Sequence, residues 1–174
     1  MTAPFSVFGP YPIDRNNVGI KSWQKEAWAY VDDEVGADLS NAKGAYVYSL
    51  KHGKKLTPLY VGITNKGFRH EVFAIHNLYK ISHHWKNEKG TIVLHLLAKK
   101  KSVHTGFSKN IAVGLLETLE VLLIFMCRRS NKKLSNKKNI KWLDAAGIRG
   151  ITGTEKQKGQ PSLSVQTFKR VLNW

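Results

Sequence analysis

Two short runs of β-branched and aromatic residues stand close together in the chain, and they constrain its fold most. Ala45-Tyr46-Val47-Tyr48-Ser49-Leu50 is followed by the turn-forming stretch Lys51-His52-Gly53-Lys54-Lys55, after which Leu59-Tyr60-Val61-Gly62-Ile63 returns. This pattern predicts an antiparallel hairpin. A third run, Thr91 to Leu97, is continuously apolar over a strand's length and reads as a buried central strand. Helical spacing predicts helices over about 22–35, with Ser22 as N-cap, and over 68–79. Ser162 or Ser164 caps a last helix. Ile111 to Cys127 is apolar on nearly every face, which predicts a helix enclosed by the core.

The remaining stretches read as connections. Pro4 to Pro12 is rich in Pro, Gly and aromatics and is expected as an irregular arm, while Gly36–Lys43 and Gly147–Gly159 are loops. The order of elements gives an α+β fold, a small central antiparallel β-sheet flanked by helices. An N-terminal helical extension over 1–40 precedes a core over 41–145, and a C-terminal loop and helix occupy 146–174.

Composition narrows the function classes. The lone Cys127 excludes an internal disulfide framework and a Cys-rich zinc module. No stretch reaches the roughly 18 consecutive apolar residues of a membrane span, and Met1-Thr2-Ala3-Pro4-Phe5 does not open a secretory leader. The expectation is a cytoplasmic protein with no membrane partner. Charge is more telling: 28 Lys and Arg stand against 12 Asp and Glu, a net of +16. Residues 1–40 carry three basic and six acidic residues, so the remaining 25 basic and six acidic residues give 41–174 a net of +19. Such a field recruits polyanions, nucleic acid first.

Two carboxylates stand out against this background. Glu117 and Glu120 lie three apart in the apolar 111–127 segment, so they share one side of a helix. An ionised carboxylate in apolar surroundings needs a partner, either a neighbouring Lys or Arg at the solvent edge or a cation such as Mg²⁺. Arg128, Arg129, Lys132, Lys133, Lys137, Lys138 and Lys141 follow without an acid among them, and they form either a solvated loop or a track for phosphates.

Gly44-Ala45-Tyr46 on the first strand and Tyr60-Val61-Gly62 on the second resemble the two halves of the signature of the GIY-YIG nucleases, with thirteen residues between them. Arg69, nine residues after Tyr60, resembles the family's arginine. Glu120-Val121-Leu122-Leu123-Ile124 resembles its glutamate with the apolar step that follows, and Leu134-Ser135-Asn136 its closing asparagine. The match runs from Gly44 to about Asn139. Ala45 and Val61 replace the family's isoleucines, and Asn131 competes with Asn136. His76, His70 and the pair His83-His84 compete for a histidine, with His76 placed one helical face from Arg69.

The resemblance implies a metal-dependent endonuclease that hydrolyses DNA phosphodiester bonds, most simply in duplex DNA. Tyr46 would act as general base, Tyr60 would bind the attacking water or the phosphate, and His76 would shuttle the proton. Arg69 would clamp a non-bridging oxygen. Glu120 would hold a single Mg²⁺, with Mn²⁺ able to substitute, and Asn136 would hold substrate or fix the active-site loop. Arg128, Arg129, Lys132, Lys133, Lys137 and Lys138 would contact the nucleic acid. RNA as substrate, a monomer or a homodimer, and a non-catalytic nucleic-acid-binding module all stay open, as does a role in genome defence or mobile DNA.

Overall fold

The computed structural model describes residues 4–101, 105–136 and 162–171. The chain divides into two compact units, Met1–Asn136 and Lys137–Trp174. In the second, the described element is one helix, Leu163–Val171, beginning beside Ser162. Lys137, Lys138, Lys141 and the loop expected over 147–159 lie outside the described residues.

The first unit is built on a four-stranded antiparallel sheet. Its strands are β1 (Phe5–Ile13), β2 (Gly44–His52), β3 (Lys55–Thr64) and β4 (Thr91–Lys99), in the order β1-β4-β2-β3. The expected hairpin is β2–β3, with strands longer and a turn shorter than anticipated: His52 pairs with Lys55 across Gly53-Lys54. β4 is the central strand foreseen for 91–97, lying between β1 and β2. The unforeseen strand is β1. The segment expected as an irregular arm pairs with β4 on both sides of a register shift between Phe8 and Tyr11. Its prolines are tolerated because an edge strand has N–H groups with no ladder to serve.

Helices α1 (Lys21–Val35), α2 (Phe68–Glu71) and α3 (Ile75–Asn87) pack into one core with the sheet, joining Trp28, Val31, Phe68, Phe73, Leu78 and Ile81 to Tyr46, Tyr48, Leu94 and Leu96. Two local expectations are corrected here. α1 begins one residue early, with Ile20 at the cap position and no side-chain cap, so Ser22 lies inside the helix. The single helix expected over 68–79 is broken at 72–74. The Val72 carbonyl accepts the Tyr48 hydroxyl at 2.5 Å, and the Glu71 carbonyl accepts the Asn77 side chain at 2.8 Å. Both carbonyls are thereby diverted from a continuous helical ladder.

α4 (Val113–Ser130) lies against β3 and β2. It is not enclosed. Leu116 and Ile124 are buried, but Leu115, Leu122 and Met126 are exposed. Only one stripe of this helix meets the sheet, because its neighbour β3 is the edge strand. Among the described residues no helix is long and apolar enough to cross a membrane.

Candidate active site

The hairpin's pairing brings the two aromatic-glycine tripeptides together. Tyr46 is directly opposite Gly62, and Tyr48 is opposite Tyr60. The period of two along each strand then sets Tyr46, Tyr48 and Tyr60 on one face of the sheet. The Tyr46 ring leans across Gly62: a Cβ there would fall 2.4 Å from both Cζ and the hydroxyl oxygen of Tyr46. Gly44 has a related reason, since a Cβ at that position would strike the Leu97 carbonyl of β4. The ring centroids of Tyr46 and Tyr60 are 6.3 Å apart.

Tyr46 is almost wholly buried. Burial pushes its hydroxyl well above the ordinary phenol range. The neighbouring Tyr60 and Tyr48 and the carboxylates of Glu71 and Glu120 push in the same direction. Tyr46 is therefore a neutral phenol at physiological pH. The positive charge of Arg69 is directed away from this tyrosine. The Arg69 guanidinium donates to Ser40 Oγ through Nε at 3.2 Å and through Nη2, and it lies 3.6 Å from Asp32 Oδ2. Ser40 is itself held by the Asp32 carboxylate, through its backbone N–H at 2.7 Å and its hydroxyl at 2.6 Å.

Local structure explains why Arg69 stands there. Thr64 Oγ1 accepts the backbone N–H groups of Lys66 and Gly67, closing the turn after β3. The Arg69 N–H then donates to the Ser40 carbonyl at 2.8 Å. The side chain keeps 42% exposure, so it remains open to an anion from solvent.

Tyr60 has a partner that sequence spacing did not reveal. Lys80, on α3, donates from Nζ to the Tyr60 hydroxyl at 2.9 Å and to Asn77 Oδ1 at 3.0 Å, and sits 4.7 Å from the Tyr60 ring centroid. The ammonium can only donate, so Tyr60 is the acceptor and its own O–H stays available as a donor. The network continues through buried Asn77, whose Nδ2 donates to Glu71 Oε1 at 3.1 Å. His76 Nε2 meets the same carboxylate oxygen at 3.3 Å. His76 is thus brought to Glu71, and the break in the helix places it on α3 while Arg69 is on α2; the expected shared helical face does not exist. His70 is on α2 as well, and the side chains of His83 and His84 are outside the described set.

Helix α4 separates its two glutamates. Glu120 lies between buried Leu116 and Ile124 at helical spacing of four, and is half-buried, whereas Glu117 is exposed. The influence of Glu120 on Tyr46 places its carboxylate within electrostatic reach of the hairpin. Glu71 and Glu120, from two different helices, are the carboxylates that act on Tyr46. Among the described residues no group of three or more His, Cys, Asp or Glu could hold a metal ion. One or two carboxylates suit Mg²⁺, which keeps several waters, and do not suit a closed zinc site.

Asn136 sits where a strand edge needs it. It is buried, accepts the Val61 N–H at 2.9 Å and donates to the Val61 carbonyl at 2.8 Å. Ser135 N–H donates to the Leu59 carbonyl and Asn131 Nδ2 to the Pro58 carbonyl. Residues 131–136 thus run along β3 and serve its outer polar groups. The basic residues beside this segment include half-buried Arg128 and exposed Arg129, Lys132 and Lys133.

Glu71, Asn77 and Lys80 are the residues that sequence reading missed. Asn77 and Lys80 are three apart on one helix face, and Glu71 precedes the helix. That spacing is common, and only the break at 72–74 turns it toward the tyrosines. No family model, no curated protein and no solved structure matches this chain.

Proposed function

We propose that the protein is a metal-dependent phosphodiester hydrolase of the GIY-YIG kind that cleaves DNA. One observation carries the reading: Tyr46 and Tyr60 on paired strands share a face of the sheet, the carboxylates of Glu71 and Glu120 act electrostatically on Tyr46, and the glycine opposite Tyr46 is required by the phenol that lies over it. That interdependence gives the tripeptides a reason to occur together. The basic surface beside α4 and the +16 net charge are suited to a polyanion.

In this reading Glu120, with Glu71 as a second carboxylate, would hold one Mg²⁺, which would supply positive charge to the phosphate and to the surroundings of Tyr46. Tyr60, fixed by Lys80, directs its O–H toward the attacking water or a phosphate oxygen. Tyr46 donates to the same region as a neutral phenol, and becomes a base only where added positive charge outweighs burial and the two carboxylates. Arg69 contacts a non-bridging oxygen from its exposed side. His76, positioned by the Glu71 carboxylate, shuttles the proton. Asn136 fixes β3, and with it Tyr60, rather than holding substrate. Arg129, Lys132 and Lys133 contact phosphates without reading sequence.

The alternative is a non-catalytic nucleic-acid-binding module. The burial of Tyr46 and the engagement of Arg69 with Ser40 and Asp32 favour it. Incubation of supercoiled plasmid with purified protein, with Mg²⁺ or with chelator, separates the two. Magnesium-dependent nicking that Glu120→Ala loses supports the hydrolase. Retardation of the plasmid without cleavage, by wild type and variant alike, supports the binding module; RNA is the substrate to test next.

A further inference from the structure

A cleft of about 280 Å³ opens between α1 and β1, over Phe73. Its floor includes the buried rings of Tyr11, Trp28 and Phe73. The Phe73 ring touches both indoles, with centroids 5.4 Å from Trp23 and 5.2 Å from Trp28. The rim is one face of α1. Trp23, Glu26 and Tyr30 recur at helical spacing there, and Tyr30 is 62% exposed. Among the described lining residues, Glu26 is the charged one.

The electrostatics of this cleft oppose those of the protein as a whole. α1 carries Glu26, Asp32, Asp33 and Glu34 against Lys21 and Lys25, within a chain of net charge +16. The field reaches the floor: the Tyr11 hydroxyl is pushed up to about 12, by burial first and then by Glu34, Tyr30 and Asp32. A nucleic-acid strand would bring phosphates to this acidic rim, so stacked bases are disfavoured. A wholly apolar group would gain nothing from Glu26. Aromatic faces with a carboxylate beside them suit a cation that has an apolar body. The volume lies at the lower end of ligand pockets, about 300 Å³, which matches a side chain better than a larger ligand.

We propose that the cleft lined by Tyr11, Trp23, Glu26, Trp28, Tyr30 and Phe73 binds a side-chain-sized organic cation, a guanidinium or alkylammonium group. The cleft takes a positively charged ligand while the basic surface takes a negatively charged one. This assignment does not rest on the hydrolase reading.

The test is a titration of the full chain with N-acetyl-arginine N-methylamide, following the indole N–H resonances of Trp23 and Trp28 by NMR. The neutral citrulline counterpart, of the same shape, is titrated in parallel. The expected result is saturable perturbation of both indoles by the cation, with the neutral probe about tenfold weaker or more. Glu26→Gln, a change at an exposed position, weakens the cation by a similar factor and leaves the neutral probe unaffected. Equal binding of the two probes overturns the proposal, as does an unchanged cation affinity in Glu26→Gln or an absence of saturation. Perturbation of the same indoles by a single-stranded oligonucleotide, in preference to the cation, also overturns it. An arginine-bearing peptide that binds more tightly than the amide places the cation on a polypeptide; equal affinity places it on a small molecule.

Discussion

Asn136→Ala removes two hydrogen bonds at once from a buried strand edge. The native amide meets both the N–H and the carbonyl of Val61, at 2.9 and 2.8 Å, and Val61 has no exposed surface. With alanine in place, one donor and one acceptor lose their partners, and each orphaned group costs about 1–3 kcal/mol. A water entering the space of the lost amide recovers part of that. The net loss is then about 2–4 kcal/mol, a large share of the roughly 5–15 kcal/mol that holds a domain together. For a chain of this size it corresponds to a Tm lower by about 5–15 °C. Urea denaturation followed by far-ultraviolet circular dichroism reads it as a lower midpoint at unchanged slope. Asn136→Asp should cost as much as alanine, because it places a carboxylate oxygen against the Val61 carbonyl. Asn131→Ala loses a bond to the Pro58 carbonyl and one from the Lys133 N–H, both within reach of water, and should cost only about 0.5–1.5 kcal/mol. A stability for Asn136→Ala within about 0.5 kcal/mol of wild type would refute the reasoning, since that is the range of substitutions touching nothing important.

Three further outcomes follow from the same geometry. Gly62→Ala forces Tyr46 off the hairpin and should cost about 1–3 kcal/mol by overpacking, with loss of plasmid nicking at temperatures where the variant is still folded. Lys80→Gln takes the charged donor from Tyr60, a bond worth about 1.5–3 kcal/mol; where that bond strengthens by this much in the transition state, single-turnover cleavage falls by about 10- to 100-fold while plasmid retardation is nearly unchanged. Equal loss of both would assign Lys80 to binding. The third concerns pH. Tyr11 ionises near 12 in the folded chain and near 10 when unfolded, so its contribution to stability is complete below pH 10 and is lost as the pH rises toward 12. Urea midpoints at pH 9, 11 and 12 should decline less steeply in Tyr11→Phe than in wild type.

The hairpin and the central strand were legible because β-branched and aromatic residues declare themselves locally, and a turn between them leaves little choice of partner. β1 was hidden by its own prolines, which argue against a strand unless its place at the sheet edge is known. The interruption of 68–79 was hidden for a different reason. Two carbonyls are taken by Tyr48 and Asn77, and no window of sequence carries a signal for a phenol from a strand 24 residues earlier. Helix α4 misled through its apolar content: a helix beside an edge strand buries one stripe whatever its other faces hold. The resemblance to a motif drew attention to Tyr46, Tyr60, Arg69 and Glu120, but it is silent on what each touches. Arg69 meets Ser40 and Asp32, Tyr60 meets Lys80, and Asn136 meets backbone. Each of those contacts is set by tertiary packing.

The two borders of the sheet are treated in different ways, with one outcome for the protein in a concentrated solution. A strand at a sheet edge presents unpaired backbone groups on which another chain can add as a further strand. At β3 the segment 131–136 occupies those groups at Pro58, Leu59 and Val61. At β1, Pro10 and Pro12 remove donors, and the register shift between Phe8 and Tyr11 bends the border out of line. An extended segment from a second molecule would find no continuous ladder on either side. Among the described residues the sheet therefore ends at four strands, and templated growth into fibrils is disfavoured by the same asparagine and prolines that shape the fold.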